Sequence, residues 1–159
     1  MYQHTQPGTL IRILVALMIL IMLADSWFFM QAAQRKGVLM AHLQNDLLIL
    51  FGGLFVLLIF LALFHNLKVT VDGECIRLAY GVGIIHKRIL LERIAAVRPV
   101  TNRWWYGWGI RLIPGGWMWN ITGLDAVELE MKKGRKFRIG TDEPEALAAV
   151  VKERIAARK

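Results

Sequence analysis

The sequence of 159 residues has a single cysteine, Cys75, and only four histidines. One cysteine excludes an intramolecular disulfide framework. The histidines lack metal-ligand spacing with each other or with Cys75, and the sequence contains no HExxH zinc motif, phosphate-binding P-loop or nucleophile elbow. We therefore expect a protein that is not an enzyme and that uses no cofactor and no metal.

Charge is almost absent from two apolar runs, residues 10–30 and 47–64. Each is close to the ~20 residues that a helix needs to cross a bilayer. The pattern predicts a hairpin of two transmembrane helices, with Asn45-Asp46 as the N-cap of the second span and both chain ends on one side of the membrane. The first run is too long for a typical cleaved signal peptide, and a second span follows it.

Acidic residues are also scarce, with 12 against 20 lysines and arginines, and most of the excess positive charge lies in residues 67–159. A basic body held at a membrane is attracted to anionic lipid, so nucleic acid is not the expected partner. Near the spans, basic residues are slightly more abundant toward the chain ends than at Arg35 and Lys36 in the connecting loop. This difference favours cytoplasmic N- and C-termini.

A single carboxylate, Asp25, lies within the first span, where a charge is costly unless it faces water, a partner or protein. Asp25 is the intramembrane polar candidate for function. The alternative is that it reaches the interface beside Trp27. Ala24 and the Gly52-Gly53 pair are expected at similar depths, where small residues would let the two helices approach closely.

Beyond residue 66 the hydrophobic pattern changes to period two, which predicts short strands over residues 67–71, 76–80, 84–91, 94–100, 127–132 and 136–139. The last two are joined by a tight turn at Lys133-Gly134. Glu128 and Glu130 are expected on an exposed face. The spacing of apolar residues in the final segment predicts an amphipathic helix, with Asp142 and Glu145 as its capping box.

About seven antiparallel strands followed by one amphipathic helix resemble the bacterial pleckstrin-homology-like (PH-like) domain, in the form found after a two-span membrane anchor. The resemblance covers residues 67–159, and the stretches that carry it are 107–111, 123–130 and 137–144. It implies a membrane α-hairpin in residues 1–66, with a short N-terminal tail, and a mainly-β half-open barrel or sandwich in residues 67–159. It also implies a multi-pass protein of the bacterial inner membrane that serves in binding or assembly.

Five of the six tryptophans fall within residues 104–119. The candidate surface for membrane or partner contact consists of Arg103, Trp104, Trp105, Tyr106 and Arg111. Indoles favour the headgroup boundary, and exposed aromatic residues beside arginine are also typical anchors for a protein partner. For Trp108, Trp117 and Trp119, packing into the barrel is the alternative.

A second candidate surface is a basic run that is expected to contact anionic lipid, formed by Lys132, Lys133, Arg135 and Lys136. The alternative is a solvated hairpin tip. The leading hypothesis for function is a non-catalytic, membrane-anchored interaction module that binds another membrane protein or itself and assists assembly or regulation. The alternatives are a binder or sensor of anionic headgroups and, more weakly, an accessory subunit of a transporter.

Overall fold

The computed structural model describes residues 2–36 and 40–158. Three α-helices and nine strands follow one another along the chain. They are β1 (Tyr2–Pro7), α1 (Thr9–Lys36), α2 (Met40–Phe64), β2 (Asn66–Val71), β3 (Cys75–Tyr80), β4 (Ile85–Leu90), β5 (Ile94–Thr101), β6 (Gly109–Ile113), β7 (Gly116–Asn120), β8 (Asp125–Met131), β9 (Lys136–Gly140) and α3 (Pro144–Ala156). Short 3-10 turns lie at Leu91–Arg93 and Trp104–Tyr106.

Both α1 and α2 are long and apolar enough to span a membrane, over Thr9–Ala32 and Leu47–Phe64. Only 6% of each stretch is buried inside the protein, unlike the core helix of a soluble domain. The second stretch has the bounds predicted for the second span, and the first differs from the predicted 10–30 by one residue at its start and two at its end. The helices themselves extend beyond the spans, so the predicted N-cap is wrong. The first helix continues through Arg35 and Lys36, and the second begins at Met40, so Asn45-Asp46 lies inside it and not at its N-cap.

The two apolar helices pack together through a few small or aliphatic positions. Val15 and Leu57 are buried, and a side chain added at Gly53 would collide with Met22 of α1. Gly52 has open space around it, and Ala24 is exposed. The close approach expected from small residues is therefore made at Gly53 and at neither Ala24 nor Gly52.

The strands form two sheets, and the described residues contain nine strands: eight between Asn66 and Gly140, where about seven were expected, and the additional β1. The first sheet has the order β1-β2-β3-β4 and is antiparallel. The second has the order β5-β8-β9-β7-β6, with β7 and β9 parallel and its other pairs antiparallel. The unpredicted β1 precedes the apolar helices in the chain but pairs with β2, which follows them. Residues that precede the two helices in the chain and residues that follow them thus belong to one sheet.

The core lies between the two sheets and is closed by α3. As the amphipathic pattern predicts, Leu147 and Val151 of α3 are buried, and Pro144 occupies its first turn. The predicted capping box is wrong: no side chain caps this helix, and Asp142 pairs with His4 of β1 instead, with 2.6 Å between Nε2 and Oδ1.

The first sheet is joined tightly to the ends of the apolar helices. The amide of Gly8 donates to the carbonyl of His65, and the amide of Val82 donates to the carbonyl of Ala62. Gly81 has φ +49°, and a Cβ there would collide with the carbonyl oxygen of Ala62. The β3–β4 turn therefore lies directly against the end of α2, and only glycine fits this position without strain.

Two predicted strand boundaries also change. The fourth predicted strand, residues 94–100, is one residue longer in the structure, because β5 continues to Thr101, and Pro99 within it pairs with Val127. Since β5 is an edge strand, the missing N–H of proline costs no ladder hydrogen bond when it faces outward. The third begins only at Ile85, because residues 81–84 form the turn.

Candidate functional site

An exposed aromatic turn, residues 103–106, lies in the connection from β5 to β6, the two edge strands of the second sheet. Trp104 is 73% exposed and Trp105 is 56% exposed. Their rings meet nearly at right angles with centroids 5.8 Å apart, and the guanidinium of Arg103 lies 5.0 Å from the ring centroid of Trp105. The predicted contact pair is therefore outside the core, and its indoles are ordered by each other and by a cation–π contact.

Arg138 of β9 holds the aromatic turn against the second sheet. The Nη1 atom of Arg138 donates to Oδ1 of buried Asn102 at 3.0 Å, and its guanidinium lies 5.8 Å from the ring centroid of Tyr106. Arg111 makes a further local contact, donating from Nε to the carbonyl of Trp108 at 2.9 Å. The turn is thus fastened to the sheet through side chains.

Arg138 is itself fixed by Glu128, which is only 1% exposed. The carboxylate accepts hydrogen bonds from Nε of Arg138 at 2.8 Å and from Nε of Arg98 at 3.0 Å. Burial alone would raise the pKa of Glu128, but these hydrogen bonds and charges hold its pKa below the ordinary value. The expectation that Glu128 is exposed is therefore wrong, because arginines on both neighbouring strands cover it; Glu130 is exposed as predicted.

The aromatic turn lies at the same end of the sheets as the apolar helices. The indole of Trp108 donates to the carbonyl of Gly123 at 3.2 Å. One residue earlier, the carbonyl of Thr122 accepts a hydrogen bond from Gln6 at 3.2 Å, and Gln6 lies just before α1. Residues 121–124 therefore bridge the aromatic turn and the base of the helix pair.

The other three tryptophans are not equivalent. Trp119 is buried in the core, whereas Trp108 and Trp117 are substantially exposed. The expected packing into the domain core therefore holds for Trp119 alone. Trp117 and its cross-strand partner Leu112 on β6 are both exposed.

The basic hairpin tip forms one wall of a groove that sequence reasoning did not predict. This basic groove has a volume of about 1120 Å³ and lies between β4 and the β7–β9 region. Its second-sheet wall carries Lys132, Lys133, Arg135 and Lys136, and the facing wall carries Lys87, Arg88 and Arg93. Trp117 and Phe137 lie between the walls.

The basic groove lies at the end of the sheets remote from the helices. The amide of Lys132 donates to the carbonyl of Arg93, and the amide of Leu91 donates to the carbonyl of Glu74. Glu74 follows β2, whose other end, Asn66, adjoins α2. A strand of this length spans about 17–20 Å. The basic tip and the helix junction are therefore about one strand length apart.

Asp25 lies on the outer surface of α1 and is exposed. Seven residues separate it from Ala32, where the membrane-spanning stretch ends, which corresponds to about 10 Å along the helix. Asp25 therefore lies within the apolar stretch that is long enough to span a membrane.

Among residues 2–36 and 40–158, no group of three or more histidine, cysteine, aspartate or glutamate side chains could hold a metal ion. Cys75 is buried, with Nε of Arg88 3.1 Å from its sulfur. Comparison with protein-family models, with curated proteins and with solved structures finds no match.

Proposed function

We propose that this chain is a non-catalytic, membrane-anchored interaction module whose PH-like domain binds another membrane protein and assists the assembly or regulation of a complex. The observation that carries this proposal is the aromatic turn. Its two large indoles are exposed, yet Arg138 and Asn102 hold the turn to the sheet. Exposed tryptophans that are already ordered lose little conformational freedom on binding, which is typical of interface hot spots.

The outer surface of the helices supports the same proposal. A carboxylate at the depth of Asp25 is costly when it faces lipid, and a polar or basic group on the helix of a partner would remove that cost. Gly52, also open on the outer surface, would allow such a helix to approach closely. The same two residues are what favours the weaker alternative, an accessory subunit of a transporter.

Photo-crosslinking tests the proposal. A photoreactive amino acid replaces Trp104 in the full chain in its native membrane, and Lys152, exposed on α3, is the matched control position. We expect a covalent adduct with one defined membrane protein from position 104 only, and less of it when Trp105→Ala is added. Equal adducts from both positions would contradict the proposal.

The alternative function, binding of anionic lipid headgroups, is favoured by a separate observation. Val82 and Ile84, in the turn fastened to the end of α2, are both exposed. Together with the aromatic turn they place large apolar groups at the helix-bearing end of the sheets.

Quenching by lipids with brominated acyl chains separates the two functions. In nanodiscs, the full chain is compared with the variant carrying Trp104→Phe and Trp105→Phe. If the pair inserts into lipid, the variant loses quenchable tryptophan fluorescence, and more so with anionic lipid. If the parent and the variant lose the same amount of fluorescence to the quencher, the pair does not insert into lipid, and it stays available for a protein partner.

The proposed location is the bacterial inner membrane, with both chain ends in the cytoplasm. The pairing of β1 with β2 supports a common side for the two ends of the helix pair. A reporter fused after Lys159 should be active in the cytoplasm, and activity restricted to the periplasm would overturn this orientation.

A further inference from the structure

We infer that the basic groove binds an extended acidic segment of a partner protein, which adds to the free edge of β4 and rests an apolar side chain on Trp117. The inference rests on the proposed function in one respect, that the partner is a protein. It assigns the partner's chemistry and a second contact surface at the opposite end of the domain from the aromatic turn.

The charge of the groove is the first step. Seven basic side chains line it against one carboxylate, Glu92. The positive charge of two of the seven is offset by a neighbouring carboxylate, since Arg88 pairs with Glu74 at 3.2 Å and Lys136 lies 3.6 Å from Glu128. The remaining five have no ion pair with any carboxylate in the described part of the chain: Lys87, Arg93, Lys132, Lys133 and Arg135. Such a surface selects a ligand with several negative charges.

The floor of the groove is the second step. Trp117 is 49% exposed, its register partner Phe137 on the neighbouring strand β9 is buried, and Nζ of Lys87 is 5.0 Å from the ring centroid of Phe137. A half-exposed indole among cations gains from being covered by an apolar side chain. A phosphate group alone would leave the indole of Trp117 exposed to water. The ligand therefore combines acidic groups with an apolar side chain.

The edge of the first sheet is the third step. Lys87, Arg88, Ile89 and Leu90, four consecutive residues of β4, line the groove. Within residues 2–36 and 40–158, β4 pairs with β3 alone, so its outer N–H and C=O groups have no strand partner there. An extended peptide can supply those partners as an added strand, which presents alternate side chains to the floor.

Position is the fourth step. The groove opens at the end of the sheets that carries Arg93 and the β2–β3 turn, away from the helix junction. Headgroups of the bilayer crossed by the helices would not reach it. A flexible segment of a neighbouring protein would reach it from the aqueous side.

The test uses the full chain in nanodiscs of neutral lipid and a dye-labelled peptide of alternating glutamate and leucine, about eight residues long to match β4. We expect saturable, salt-sensitive binding by fluorescence anisotropy. The combined variant Lys87→Gln, Lys133→Gln and Arg135→Gln should weaken binding roughly tenfold or more. The matched control Lys68→Gln, Lys152→Gln and Arg158→Gln has the same net charge and should bind as the parent does.

Two further measurements check the floor and the edge. Trp117→Ala should weaken binding of this peptide but leave binding of a polyglutamate peptide of equal length unchanged. Two peptides are N-methylated at alternate residues, one at the odd positions and the other at the even positions. Only one of them should lose affinity, because alternate N–H groups point to opposite edges of an added strand and only one edge faces β4.

Several outcomes would overturn the inference. One is the absence of saturable parent binding up to about 1 mM peptide. Another is equal binding by the groove variant and the control, and a third is unchanged affinity of both N-methylated peptides. Groove-dependent binding of anionic vesicles without peptide binding would identify a lipid site instead. Since Trp104→Ala with Trp105→Ala should leave peptide binding unchanged, failure of the aromatic-turn proposal is distinguishable from failure of this one.

Discussion

The ring of Phe64, the last residue of α2, packs against the ring of Tyr80 in β3 with 5.5 Å between their centroids. The contact belongs to a longer column. Phe60 lies 5.0 Å from Phe64, Trp119 lies 5.3 Å from Tyr80, and Phe137 lies 6.4 Å from Trp119. Aromatic side chains therefore run without interruption from the apolar helix to the core between the sheets.

Tyr80→Phe should lower the free energy of unfolding by about 1 kcal/mol. The change keeps the ring contacts but removes the buried hydrogen bond from the phenol to the carbonyl of Asn120, 3.1 Å long. Thermal unfolding in detergent measures the effect. Tyr106→Phe is the control, since the hydroxyl of Tyr106 donates to no acceptor in the described part of the chain. Equal stability of parent and Tyr80→Phe would show that this bond contributes nothing.

Trp104→Ala combined with Trp105→Ala should leave the unfolding temperature nearly unchanged while weakening membrane or partner contact, because both side chains are exposed. Trp119→Ala should cost ~3–5 kcal/mol, because its ring fills the core. The two variants are compared by thermal unfolding in the same detergent. Equal destabilisation would mean that the exposed pair supports the fold and is not a contact surface.

Arg138→Ala should destabilise the second sheet by roughly 2–4 kcal/mol, because it leaves Glu128 buried with fewer partners and frees Asn102. It should also loosen the aromatic turn, seen as faster proteolysis near Trp104. Glu130→Gln changes an exposed carboxylate on the same strand and serves as the control. Protection of the turn equal to that of the parent would show that Arg138 does not hold it.

Asp72 should make stability fall in acid. Its Oδ1 accepts hydrogen bonds from the amides of Glu74 and Cys75, which lower the pKa of Asp72 from 3.8 to about 2. Because the folded pKa lies below the unfolded one, the contribution is complete above about pH 4 and is lost as pH falls toward about 2. Solvent exposure limits it to about 1 kcal/mol. Asp72→Asn should remove that acid dependence, measured as unfolding free energy at about pH 6 and about pH 3.

Features that depend on local pattern could be predicted from the sequence. The two apolar helices follow from composition, and the turn at Lys133-Gly134 follows from a dipeptide suited to a tight hairpin. The buried face of α3 at Leu147 and Val151 follows from helical spacing. In each case the residues that determine the structure are neighbours in the chain.

Features that depend on distant residues could not be predicted in the same way. The segment at Tyr2–Pro7 carries little apolar pattern and becomes a strand because β2, more than 60 residues later, offers it an edge. Glu128 alternates with core residues as an exposed carboxylate would, but ion pairs with Arg98, Arg138 and Lys136 offset the cost of burying it. The basic groove likewise joins β4 to a hairpin some 45 residues away.

The partnership of β1 with β2 has a consequence for biosynthesis. The ribosome makes β1 first, but its hydrogen-bonding partner emerges only after both apolar helices. If one helix failed to insert, the two strands would be separated by the bilayer, and the first sheet would lack its edge. The β1–β2 pairing is therefore compatible with both helices crossing a membrane and incompatible with only one of them crossing it.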